Sequence, residues 1–155
     1  MNHVAVEDVE GYQYEDGSKL FKSLTGALGV EGLAVNYYEV AQGETIGDCY
    51  HRHHEQEELF YVVAGTATFE TEGGDVTVET GELIRFAPGD WQQGRNAHDE
   101  RLVVLAIGAP QDEGPIDLRR HCPECGDRTD AVLKAEDGAE VFYCAECGAE
   151  TGRYE

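Results

Sequence analysis

The chain has 155 residues, room for one domain of ordinary size and a small appendage. Its 32 Asp and Glu against 11 Lys and Arg give a formal charge of −21, spread along the whole length. Such a surface repels phosphate backbones and anionic lipid, so nucleic acid and membrane are excluded as partners of the surface at large.

The longest uninterrupted apolar runs are six residues, 59–64 and 102–107, far short of the roughly 20 needed to cross a bilayer. The acidic first ten residues lack the basic segment and apolar core of a secretory leader. A soluble protein resident in the cytoplasm is the expectation. Only three of the basic residues are lysines, and a dispersed carboxylate surface with scarce lysine resembles that of proteins from salt-loving organisms. Their cytosol screens the repulsion, the Debye length falling to about 3 Å at 1 M salt. A halophilic source is expected; the plainer alternative is an acidic protein of an ordinary mesophile.

In chain order, residues 1–32 read as an acidic packing arm. Leu20, Phe21, Leu24, Ala27 and Leu28 form one helical face, but Gly26 and Gly29 weaken it. From residue 33 the pattern becomes short strands cut by turns: 33–40, 45–53, 59–64, 66–71, 76–79, 83–86, 91–95 and 102–107. Gly73-Gly74 marks a hairpin. Spacing this regular predicts an all-β antiparallel sandwich or barrel over 33–108. Residues 109–117, with Pro110 and Pro115 among charges, read as a linker to a second unit at 118–155.

The strand at 45–53 carries chemistry. Side chains alternate faces along a strand, so His51 and His53 point the same way and Cys49 shares their face. Four residues separate His53 from Glu58, which opens the run 59–63, read as the neighbouring strand with its carboxylate turned toward the imidazoles. Two nitrogen donors and one carboxylate suit a divalent transition metal. The alternative is a polar triad whose members only bond each other.

This spacing, His51-x-His53, four residues, Glu58, six residues, Gly65, resembles the first motif of the cupins. The run Gly81, Pro88-Gly89, Gln92, Asn96 is similar to their second motif, with Gln92 standing where the family has a third histidine. The resemblance implies a cupin double-stranded β-helix, a jelly-roll barrel holding one metal (Fe, Mn, Ni or Zn) through His51, His53 and Glu58. It also implies a homodimer paired through sheet edges. Gln92, Cys49 and Asn96 are the further candidates for contact with the metal or a ligand. Cupins host many unrelated reactions, so the resemblance speaks to fold more than to chemistry.

Beyond 117 lies Cys122-Pro-Glu-Cys125-Gly126, and eighteen residues separate Cys125 from Cys144-Ala-Glu-Cys147-Gly148. The spacing suits a tetrahedral four-thiolate zinc and resembles a zinc ribbon, with 131–135 and 139–143 as hairpin strands. So short a segment is too small to fold on an apolar core, and metal ligation would supply on the order of 10 kcal/mol. Two disulfides are the alternative, disfavoured in a cytoplasmic chain. Residues 118–155 carry five Lys and Arg against nine Asp and Glu, 5 − 9 = −4. That argues for a protein partner or a cap on the barrel rather than DNA.

Among the remaining candidates, Cys49 reads as a buried filler, a soft ligand or an outer-shell thiol. His54 faces opposite to His53, His98 lies in a polar turn, His121 abuts a cysteine set already complete, and His3 is in the terminus. Three barrel ligands leave coordination positions open, the arrangement used by non-heme iron oxygenases. A metal-dependent, dioxygenase-like enzyme acting on a small organic molecule therefore competes with a non-catalytic sensor of small molecules or metal whose ribbon contacts a protein. Phe60, Val62, Phe69, Phe86 and Trp91 are expected to surround the site, and no second acid–base group is visible.

Overall fold

The computed structural model describes residues 1–154. A single 3-10 turn at Val6–Asp8 precedes β1 (Tyr12–Gln13), β2 (Lys19–Ser23), the one-turn helix α1 (Thr25–Leu28) and β3 (Ala34–Val40). Next come β4 (Tyr50–His53), β5 (Glu57–Ala64), β6 (Thr66–Thr71), β7 (Gly74–Glu79), β8 (Leu83–Phe86), β9 (Gln92–Arg95) and β10 (Leu102–Ala109). The chain ends with β11 (Ile116–Cys122), β12 (Asp127–Glu136), β13 (Ala139–Cys144) and β14 (Glu150–Tyr154).

The strands form two antiparallel sheets. One runs β1-β2-β3-β10-β5-β8 and the other β14-β13-β12-β11-β4-β9-β6-β7. Period-two patterning produces them: along β10 every second residue, Leu102, Val104, Ala106 and Gly108, is buried, and along β5 buried Phe60 and Val62 alternate with exposed Tyr61 and Val63. These inner faces, with Ala67 and Phe69 of β6 and Val78 of β7, make one core drawn from both sheets. Phe69 sits at its centre against Phe60 and Phe86, ring centroids 4.9 and 5.4 Å away. At one end Gly108 lets Gln56 close over β10, since a Cβ there would lie 2.7 Å from the Gln56 amide.

Three expectations are corrected. The arm is not apart from the barrel: β2 pairs with β3 from Lys19↔Val40 to Ser23↔Asn36, so Leu20 and Phe21 are strand residues and only Thr25–Leu28 is helical. The strand expected at 45–53 is formed only from Tyr50, with one isolated bridge, Thr45↔Arg95, before it. Strand β5 is not the hydrogen-bonded neighbour of β4, because it lies in the opposite sheet between β10 and β8.

The C-terminal segment continues the barrel's own sheet. β11 pairs with β4 from Ile116↔His53 to Arg119↔Tyr50 and on its other side with β12 from Leu118↔Ala131 to Cys122↔Asp127. Ile116 and Asp117, read from sequence as the end of a linker, are thus already ladder residues. The strands foreseen at 131–135 and 139–143 are present within β12 and β13, and β14 adds a third strand to them.

Candidate metal centre

Strand β4 points His51 and His53 into the barrel, their rings 5.2 Å apart and nearly perpendicular. Glu58 enters from the other sheet, so the three side chains meet across the interior rather than along one ladder. Its Oε2 lies 3.5 Å from His51 Nε2 and 3.3 Å from His53 Nε2. One donor atom of each residue falls within 4.8 Å of the others. Ligands about 2.0–2.2 Å from a tetrahedral ion stand about 3.3–3.6 Å apart, so the observed separations are those of a coordination shell.

The electrostatics agree. Cys49 O, which only accepts, lies 3.0 Å from His51 Nδ1, so that nitrogen carries the proton and donates it. The unprotonated Nε2 of neutral His51 then faces the Glu58 carboxylate, two electron-pair donors aimed at one space. Burial pushes Glu58 up, but hydrogen bonds and charge from His51 and His53 outweigh it and hold the carboxyl at about 2. Burial likewise pulls His51 down and is outweighed by Glu58, which raises it. His53 Nδ1 is buried without a partner, the only such side-chain atom among the described residues. That costs about 1–3 kcal/mol whether or not Nε2 binds a metal; the fit rests on the two Nε2 atoms and Glu58 Oε2. The residues fit a metal.

Gln92 stands directly opposite His51 across the β4–β9 ladder. Its Nε2 donates to Glu58 Oε2 at 2.7 Å and to His51 Nε2 at 3.0 Å, so the structure brings this candidate to the triad. Cys49 lines the same cavity, but its sulfur is no member of the donor cluster: burial raises its thiol, and the Arg120 guanidinium lies 3.7 Å away. Asn96 is a correction. Fully buried, it donates to Val40 O and Glu100 O and accepts from the His98 amide, so it ties down a turn and does not line the cavity. His54 contacts Asp117 at 3.0 Å, outside the triad.

The triad opens on a cavity of about 340 Å³. The aromatic surround read from sequence is corrected: Phe60 lines this cavity, whereas Val62, Phe69 and Phe86 pack in the core beyond it. Trp91 stacks on Tyr50 at 5.2 Å, with the Arg52 and Arg119 guanidinium groups over its ring, away from the cavity. Sequence reasoning missed two lining residues of β3, Asn36 and Tyr38, whose i, i+2 spacing was the available signal. It also missed Leu118, Leu133 and Phe142, by which the C-terminal strands wall the cavity.

The four cysteines of that region converge as well. Cys122 and Cys147 Sγ lie 3.6 Å apart, and Cys125 and Cys144 Sγ 3.9 Å. With zinc–sulfur bonds of about 2.3 Å, a tetrahedral edge is about 3.8 Å. Each knuckle turns on a glycine, Gly126 (φ 74°) and Gly148 (φ 75°), whose amides donate to Cys122 O and Cys144 O. All the cysteines are free thiols, and crowding by Cys147 and Cys122 pushes Cys125 up to about 12. The four sulfurs stand at the spacing in which thiolates share one cation.

An antiparallel double-stranded β-helix with a His-His-Glu cluster inside defines a class of single-site barrel proteins. The family model described as "Cupin domain" matches residues 36–108 and, with the fold neighbours, supports a cupin jelly-roll domain over that span. Solved structures with the same fold include a sugar phosphate isomerase of the cupin superfamily from Silicibacter pomeroyi. It is 20% identical, with TM-score 0.62 over 96% of this chain and 91% of that one. A predicted oxalate decarboxylase from Thermotoga maritima is 18% identical, with TM-score 0.60 over 70% and 98%. The polyketide cyclase RemF from Streptomyces resistomycificus is 20% identical, with TM-score 0.61 over 75% and 83%. At these identities the likeness is one of fold. A search of the curated proteins finds no match.

Proposed function

We propose that the barrel holds one divalent transition metal through His51, His53 and Glu58 and presents it to a small organic molecule in the cavity as a metal-dependent enzyme. The observation that carries this is the separation of Glu58 Oε2 from the two imidazole Nε2 atoms, 3.5 and 3.3 Å, at the edge of an accessible cavity. A bound metal supplies a Lewis acid there with coordination positions left open. The fold neighbours are named for an isomerase, a decarboxylase and a cyclase, so fold analogy does not choose a reaction.

The chain's own groups have assignable work. Cys49 O fixes the His51 tautomer, and Gln92 holds the Glu58 carboxylate by its amide. Burial, with Glu58 and Asp48 nearby, pushes the Tyr38 phenol upward, so it keeps its proton at neutral pH and can donate it to a bound oxygen or nitrogen. Tyr38 is thereby the acid–base candidate absent from the reading of the sequence.

The cysteine cluster is assigned a structural zinc. Because Leu118, Leu133 and Phe142 face the cavity, the C-terminal strands act in this reading as its wall rather than as a docking module for another protein. Elemental analysis of purified protein tests both assignments. Two metals per chain are expected, with His51→Ala removing one and leaving zinc, and Cys122→Ser removing zinc. A wild type with a single metal that Cys122→Ser abolishes makes the barrel triad vestigial.

A further inference from the structure

Beyond the His51 and His53 imidazoles and the Cys49 thiol, the cavity's polar lining is amide, phenol and carboxylate. Asn36, Gln56, Gln92 and Gln111 contribute amides, Tyr38 its hydroxyl, and Asp48, Glu58 and Glu113 carboxylates, while among the described residues no Lys or Arg lines it. We infer that its ligand is uncharged or cationic at the end pointing away from the metal centre: a polyol, an amide or an amine rather than a dicarboxylate or a phosphate ester. The inference rests on the metal-centre reading above and names its substrate class.

The two cations near the wall are already engaged. Lys19 Nζ is buried against Asp48 Oδ1 at 3.1 Å. Arg120 donates to Asp48 O, to Thr151 O at 3.2 Å and to the Tyr154 hydroxyl at 2.9 Å, and its guanidinium lies over the Phe142 ring at 4.7 Å. Glu113, at the exposed rim, forms no ion pair among the described residues. A divalent ion with Glu58 leaves one formal positive charge at the centre, enough to attract one anionic group of a ligand. A second anionic group would lie among amides and the Glu113 carboxylate with no charged donor, and desolvating it there is unfavourable. The formal charge of −21 opposes its entry as well. Neutral donors and acceptors find partners instead, since the Asn36 amide and the Tyr38 hydroxyl line the cavity with no hydrogen bond to the described residues.

The test uses full-length protein loaded with cobalt(II), with metal content measured on every sample and the visible cobalt spectrum as readout. The probes are isonicotinamide and isonicotinate, which share a ring nitrogen able to bind the metal and differ in the charge of the opposite end. Isonicotinamide is expected to bind at least about tenfold more tightly, despite the more basic ring nitrogen of the anion. Glu113→Lys is expected to raise isonicotinate affinity by about tenfold while changing isonicotinamide by less than about twofold. Equal or tighter binding of isonicotinate to the wild type overturns the inference, as does Glu113→Lys without effect on the anion. Metal-loaded protein whose spectrum responds to neither probe up to the solubility limit overturns it too. A barrel that takes no cobalt is a different failure, visible in the metal analysis: it overturns the metal-centre reading, and this inference with it.

Discussion

Gln92 lies directly across the β4–β9 ladder from His51, with its amide nitrogen 3.0 Å from His51 Nε2 and 2.7 Å from Glu58 Oε2. It occupies the position at which the cupin resemblance calls for a histidine, and it donates to two of the three proposed ligands. Gln92→Ala is therefore expected to keep most of the barrel metal while weakening isonicotinamide binding by roughly tenfold, the loss of one positioning hydrogen bond. Gln92→His should slow metal release to a chelator. Loss of the metal in Gln92→Ala would show that the amide is itself a ligand and that the centre has one open position fewer.

Cys122→Ser addresses the wall of the cavity. Removal of one thiolate should release zinc and destabilise β11–β14 by several kcal/mol, the order of a structural zinc's contribution. Because Leu133 and Phe142 stand on those strands and line the cavity, isonicotinamide binding should fall while the barrel metal remains. Unchanged ligand affinity in a zinc-free variant would mean that the strands hold their place without the ion.

The formal charge of −21 makes stability salt-dependent. Melting temperature should climb steeply between roughly 0.1 M and molar NaCl as the screening length drops from about 10 to about 3 Å. A flat profile across that range removes the argument for a halophilic source.

A pH effect is expected at the junction of barrel and C-terminal strands, where Arg128 grips Glu70 with bonds of 2.6 and 3.0 Å. Arg128 holds the Glu70 carboxyl below its ordinary 4.5. A depressed folded value means that the unfolded chain binds the proton first. The pair's contribution is then complete well above 4.5 and is lost as pH falls through 4.5 toward the folded value. Urea unfolding of wild type and Glu70→Gln should differ at pH 7 and converge toward pH 3. The pair is solvent-accessible, so the difference will be small. No difference at pH 7 would assign the joint to the backbone ladder alone.

The parts of this molecule legible in its sequence are those set by local geometry. The common direction of His51 and His53 follows from strand alternation, and the convergence of the cysteines follows from two short knuckles with a glycine in each. The parts not legible depend on pairing at a distance. Nothing local says that β5 leaves β4 for the opposite sheet, which is why Glu58 meets the histidines across the interior. Asn36 and Tyr38 were hidden because neither face of β3 is uniformly apolar: Ala34, Asn36 and Tyr38 alternate with Val35, Tyr37 and Glu39. Asn96 matched a family motif, yet it serves a turn, since its surroundings rather than its spacing decide which groups its amide meets. The C-terminal strands read as an appendage because a cysteine framework signals a self-contained unit, whereas β11 is ordinary strand sequence with a partner on each side.

That shared strand bears on how the chain can be cut. A protease that nicks the exposed stretch at 111–113 would not release two independent products, because the β4–β11 ladder would still clasp the fragments in one particle. A gene truncated before Ile116 would yield a barrel with an open strand edge at Tyr50–His53, the segment that carries both histidines. Such an edge recruits other chains, so the shortened protein would be lost to aggregation before its chemistry could be assayed.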